Sequence, residues 1–145
     1  MKTPRSAPVP VHAAELRRWE LTSGDDLRTV RAELARELRD RRLADDQLCE
    51  RMTLVATELG SNALRHGLPP VHIMLLRSSV DLILAVSDRD VAGVPRSVDA
   101  GGVVAGGRGL PIVSSLSDDL CWQVDGQVKY VWAAFLPPGG DPTAG

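Results

Sequence analysis

Lysine is nearly missing from this chain. Lys2 and Lys129 are the only two, and the other basic residues are all arginine, a bias read here as genome base composition. A surplus of positive charge is missing as well. Seventeen basic residues face nineteen acidic ones, for a formal net charge of -2, which excludes a protein held to nucleic acid mainly by charge. Cysteine is scarce: Cys49 and Cys121 are too few for a multiply bridged secreted scaffold, and no Cys/His cluster has zinc spacing. No apolar run approaches the ~20 residues of a membrane span. Lys2 and Arg5 stand among Pro4, Pro8 and Pro10 and not before an apolar run, so no signal peptide is expected. What remains is ordinary. The chain has 145 residues, 43% apolar and 25% charged, enough for one folded domain with a real core. A cytoplasmic protein is expected, with no membrane and no direct nucleic-acid partner.

The two ends, residues 1–13 and 138–145, are rich in proline, alanine or glycine and read as flexible tails around a domain at 14–137. Leu16 to Leu21 is a candidate strand. Leu27, Val30, Leu34 and Leu38 recur at helical spacing, predicting an amphipathic helix over about 25–42 with Asp25 or Ser23 as cap. Its arginines, Arg28, Arg31, Arg36, Arg39, Arg41 and Arg42, read as a solvated face, with recognition of an acidic partner as the minor alternative. A second helix starts near Asp45 or Asp46, buries Leu48, Met52, Val55 and Leu59, and stops at Gly67 ahead of Pro69 and Pro70.

The period then changes. Val71 to Arg77 and Val80 to Asp88 read as a hairpin joined at Ser78-Ser79, and Leu120–Val124 with Val128–Leu136 as a second hairpin around Asp125-Gly126. Between the hairpins, residues 90–106 lack periodicity. Structureless segments longer than about 12–15 residues are usually functional, so a lid is expected there. Leu110, Val113 and Leu116 then resume helical spacing. The fold class is an α/β two-layer sandwich, with a mostly antiparallel sheet and helices on one face.

Three places carry chemistry. Glu58 and Asn62, four residues apart, lie about 40° from each other around a helix, at the border of its buried stripe. Asn offers Mg²⁺ a neutral oxygen and Glu can orient or deprotonate a hydroxyl, although the pair taken alone is more simply read as an ordinary solvated helix edge. Gly106-Gly107-Arg108-Gly109-Leu110 delivers the chain into a helix N-terminus, where backbone N–H groups suit phosphates; a flexible linker is the plain alternative. Asp88, at a strand end, can accept from an exocyclic amine or form a turn. His12, His66 and His72 make no hydrolytic triad, and the two cysteines read as inert small residues.

Together these motifs resemble one family. Glu58-Leu59-Gly60-Ser61-Asn62-Ala63-Leu64-Arg65-His66-Gly67 is similar to the N-box of the GHKL (Bergerat-fold) ATPases. It is closer still to the small bacterial anti-sigma-factor serine/threonine kinases and their actinobacterial relatives. Val86-Ser87-Asp88 takes the place of the first glycine box, Gly106 to Val113 that of the second, and Val131-Trp132-Ala133 that of the last strand. The resemblance runs over about 15–136. It implies ATP and Mg²⁺ as cofactors. Asp88 would hold the adenine amine, Asn62 the Mg²⁺, and Gly107, Gly109 and the helix start the phosphates. Arg65, Gly93, Arg108 and Leu110 complete the expected nucleotide contacts. Glu58 would activate a serine or threonine hydroxyl on a partner. The implied partners are a sigma factor, which is sequestered, and a STAS-type anti-sigma-factor antagonist, which is phosphorylated; a homodimer is implied too.

Two departures stand out. The first glycine box usually reads Asp-x-Gly-x-Gly, but here it is Asp88-Arg89-Asp90-Val91-Ala92, with glycine only at Gly93. Tyr130 replaces a customary threonine near the adenine, where its hydroxyl could substitute or its ring could narrow the pocket. The altered box motivates an alternative: a non-catalytic sequestering module with weakened or lost ATP use. A sensor histidine kinase fits poorly, lacking a dimerisation helix with a phosphoacceptor histidine.

Overall fold

The computed structural model describes residues 4–93 and 109–137. In chain order the elements are β1 (Arg5–Ser6), β2 (Ala14–Leu21), α1 (Asp25–Asp40), α2 (Asp46–His66), β3 (Val71–Arg77), β4 (Leu82–Asp88), α3 (Gly109–Leu116), β5 (Asp119–Asp125) and β6 (Val128–Phe135). Six strands form one sheet in the order β1-β5-β6-β4-β3-β2. Every pairing is antiparallel except β1 with β5.

The helices form where the apolar spacing places them. In α1, Val30, Leu34 and Leu38 are buried, and all six arginines of its polar face and C-terminal end are exposed. Its start differs from expectation. Gly24 is the N-cap and makes no side-chain cap; instead the Asp26 carboxylate accepts from the backbone N–H of Thr22 at 2.7 Å and of Ser23 at 3.1 Å. These bonds hold the Asp26 carboxyl below its usual range. In α2, Asp45 caps by accepting from Leu48 N–H at 2.8 Å, an ordinary N-cap bond. Gly60, in the middle of α2, is there for contact: a Cβ would lie 2.6 Å from Leu27 Cδ2 and 3.0 Å from Ile73 Cδ1. Mid-helix glycine costs about 0.5–1 kcal/mol against alanine, and here it allows α2 to seat closely on α1 and the sheet.

Strand β4 begins at Leu82, not Val80. Ser78 to Asp81 forms a turn in which Ser78 N–H donates to the Asp81 carbonyl at 2.9 Å, leaving Val80 exposed. The second hairpin turns where expected, with Gly126 at φ 63°, a conformation glycine adopts without strain.

Alternation along the strands separates two cores. Leu82, Leu84 and Val86 of β4 and Val131, Ala133 and Phe135 of β6 join Leu34, Leu38, Leu48, Met52 and Val113 beneath the helices. Ile83, Ala85, Trp132 and Ala134 point the other way, with Met74, Leu76 and Cys121. A strand buried on both sides reads as a continuous apolar run, and all seven residues of β4 are buried. The second face is covered by Ala7, Val9 and Ala13, from the segment expected to be a flexible tail. That expectation is corrected for residues 5–9. Arg5 and Ser6 pair with Cys121 and Trp122, Ala7 N–H donates to the Trp122 carbonyl at 2.9 Å, and Trp132 Nε1–H donates to the Ala7 carbonyl at 2.9 Å. Arg5 also pairs with Asp119, which holds the Asp119 carboxyl down. The partners lie more than 110 residues away, so local composition carries no sign of them.

Candidate functional site

The site is built at the C-terminal half of α2 and the end of β4. Helical continuity over Asp46–His66 places Glu58 and Asn62 on one side of the same turn, each half-buried. Arg65, one turn further, is exposed. The helix closes with Gly67 N–H donating to the Ala63 carbonyl at 2.8 Å. By helical rise Gly67 lies roughly 7.5 Å along the axis from Asn62.

Gly67 is where α2 meets Asp88. A Cβ added at Gly67 would fall 2.6 Å from the Asp88 Cγ and Oδ2, so any larger residue would press on the carboxylate. Just beyond, Arg89 N–H donates to the Leu68 carbonyl at 2.8 Å, tying the end of β4 to the chain leaving α2. The end of the Glu58–Gly67 motif and Asp88 are therefore in contact, although 21 positions separate Gly67 from Asp88 in the sequence.

Asp88 is only 4% exposed, and its surroundings explain how a buried carboxylate is tolerated. Its Oδ1 accepts from Asp90 N–H at 2.7 Å. Its Oδ2 lies 3.6 Å from Lys129 Nζ, also buried. The ammonium in turn donates to the Gly93 carbonyl at 2.5 Å, and Gly93 N–H donates to the Asp90 carbonyl at 3.1 Å. A buried charge without a partner is strongly disfavoured; here the two charges compensate one another. The box that lacks its usual glycines is thus a closed turn over 88–93, braced from β6 by Lys129.

Lys129 is the site residue that sequence reasoning missed. Two signals pointed to it: it is one of only two lysines, and it lies two residues before Val131 on a strand whose odd positions face the helices. Tyr130 is corrected by the same alternation. It packs with Trp132 on the opposite face of the sheet, so it neither lines nor narrows a pocket at Asp88.

Gly109 and Leu110 open α3, as the resumed helical spacing predicts, and α3 is fastened to α2 by Arg51 Nη1 donating to the Leu116 carbonyl at 3.2 Å. Gly107, Arg108 and all of the expected 90–106 lid beyond Gly93 lie outside the described residues. A cavity of about 470 Å³ lies between the C-terminal end of α2 and the adjoining ends of β2 and β3, with Thr22, Ala63, Gly67 and Val71 in its lining. Glu58, Asn62 and Asp88 are not in its lining, and it meets the candidate site only at Gly67. Among the described residues no cluster of three or more His, Cys, Asp or Glu could hold a metal by itself. No helix among them is long and apolar enough to cross a membrane. The donor set fits Mg²⁺ carried by a nucleotide, which takes one or two protein oxygens and completes its shell with phosphate and water.

A mixed sheet covered by helices on one face, with an acid–amide helix meeting a strand-end aspartate through glycine, defines an α/β domain whose polar groups gather at one end of the sheet. Residues 22–135 match the family model described as the histidine kinase-like ATPase domain. The chain belongs to that family. No curated protein is significantly similar to it in sequence. In fold it is similar to the crystal structure of the RsbU and RsbW domains of Rv1364c from Mycobacterium tuberculosis, with a TM-score of 0.55 at 16% identity. That likeness covers 83% of this chain and 32% of the other; it is a likeness of fold to one part of a longer protein.

Proposed function

We propose that this chain is an ATP-binding regulatory serine/threonine kinase of a partner-switching system. It would sequester a sigma factor and phosphorylate a STAS-type antagonist of the anti-sigma factor. The observation that carries the reading is the contact of Gly67 with Asp88, which joins the end of the Glu58/Asn62 helix to a carboxylate able to hold a base. The family match and the fold likeness to a structure containing an RsbW domain support it.

In this mechanism Asp88 accepts a hydrogen bond from the adenine amine and sets the depth of the nucleotide. Asn62 offers its side-chain oxygen to Mg²⁺, which, when bound, neutralises phosphate charge. Backbone N–H groups at Gly107, Gly109 and the start of α3 receive the phosphates, with Arg65, Gly93, Arg108 and Leu110 as further contacts. Glu58 takes the proton from the partner's serine or threonine hydroxyl as its oxygen bonds to the γ-phosphorus and the bond to the β–γ bridging oxygen breaks, leaving ADP. Positioning and charge neutralisation carry such a transfer.

Binding of a fluorescent ATP analogue with Mg²⁺ tests the site. Micromolar affinity is expected, about -8 kcal/mol at ~1 μM, falling more than tenfold in Asn62→Ala. Transfer of labelled phosphate to a co-encoded antagonist tests catalysis; Glu58→Ala should lower it by roughly 10²–10⁴ while ATP still binds. A second reading has its own observation. The 88–93 turn is closed by Asp90 and Lys129 on Asp88, without glycine at positions 90 and 92, and this favours a sequestering module with weakened ATP use. ATP binding with no Glu58-dependent transfer would select it.

A further inference from the structure

We propose that Lys129 is a base-contacting specificity residue, so that adenine is read at two points: its N6 amine by Asp88 and its N1 by the Lys129 ammonium. This rests on the nucleotide reading of the site and adds a residue to it.

Asp88 and Lys129 are register partners across β4 and β6. Both are buried, and Nζ lies 3.6 Å from Oδ2. A base arriving at Asp88 therefore meets a carboxylate already compensated by an ammonium. Charge-assisted contacts are roughly twice as strong as neutral ones, so a neutral amine does not displace the lysine; it has to join the pair. The chemistry allows this. A carboxylate has acceptor capacity for about four hydrogen bonds and an ammonium has three N–H groups. Among the described residues only Gly93 O, at 2.5 Å, takes one of those N–H groups; Asp88 Oδ2 at 3.6 Å is an ion-pair partner beyond hydrogen-bond distance, so the ammonium still has N–H groups to offer a ligand.

Acceptor and donor side by side match the Watson–Crick edge of adenine, where the N6 amine donates beside the N1 lone pair. Guanine in the same pose is wrong twice, its O6 facing the carboxylate and its N1–H the ammonium. Mismatched buried polar groups of this kind discriminate far more strongly than a lost apolar contact. Lys129 also holds Gly93, so it positions the turn that in this chain lacks glycine at 90 and 92.

The test is isothermal titration of ATP and of 1-deaza-ATP, which has carbon in place of N1, with Mg²⁺ and the full chain. The wild type should bind ATP about tenfold more tightly than 1-deaza-ATP. Lys129→Met should bind the two alike, at the weaker level, giving a cycle with ligand and protein each changed at one atom group. Equal affinities in the wild type would overturn the proposal without any variant, which covers a Lys129→Met chain that fails to fold. A tenfold preference retained in Lys129→Met, or tighter ATP binding by it, would overturn it as well. Failure of the wild type to bind ATP, or binding indifferent to Asn62→Ala, would instead remove the nucleotide site itself, a visibly different result.

Discussion

The two faces of the sheet are made by the same strands yet are put to different uses. Beneath the helices, large aliphatic residues such as Leu34, Leu84 and Phe135 pack with no exposure, and at one end the packing gives way to Asp88 and Lys129. Across the sheet, Met74, Ile83, Cys121 and Trp132 are buried as well, but under a short extended segment from the N-terminus. The helical layer brings side chains that carry chemistry; the thin layer brings mostly small apolar groups and backbone hydrogen bonds. Closure of a face requires only apolar area and paired backbone groups, whereas a site requires rigid elements that hold polar groups against one another.

This difference can be broken from either side. Trp132→Ala removes the largest side chain on the thin face and its bond to the Ala7 carbonyl. It should lower unfolding free energy by about 3–5 kcal/mol in a urea titration, while the folded variant keeps its ATP affinity. Gly60→Val, on the helical side, should cost about 1–3 kcal/mol through overpacking against Leu27 and Ile73. Because it pushes α2 away from the sheet, it should weaken ATP binding too; unchanged binding would show that α2 and Asp88 are not rigidly joined. The smallest effect concerns Cys121, whose thiol burial and neighbouring Asp119 push up to about 11. A raised native pKa favours the thiol, so this group leaves stability intact below about pH 9 and erodes it as pH rises toward 11. Cys121 should resist thiol reagents at pH 8. Arg5→Ala removes the cation that holds this thiol down, with its contacts to Asp119 and to Cys121 Sγ at 3.6 Å; it leaves Asp119 uncompensated and should slow labelling a few-fold further, since the thiolate is the reactive form.

Much of this was legible beforehand because it is local. The apolar spacing in α1 and α2, Asp45 as a cap, the stop at Gly67 and the Asp125-Gly126 turn each follow from residues within a few positions of one another. So does the pairing of Glu58 with Asn62 on one side of a helix. The misreadings were non-local or a matter of register. Tyr130 and Lys129 are adjacent, and strand alternation sends one to each face, so assigning the site position to the wrong neighbour inverts the reading. The N-terminal strand was hidden because its partners, Cys121 and Trp122, lie at the far end of the chain.

From residue order alone came the helices, the two hairpins and the family motifs, since propensity, period and capping act over a few residues. Tertiary structure decided that the N-terminal segment, paired through β1, covers the second face, that Asp88 lies against Gly67, and that a buried lysine stands beside it. Those are outcomes of strand register and close packing between distant segments, which short-range patterns do not encode.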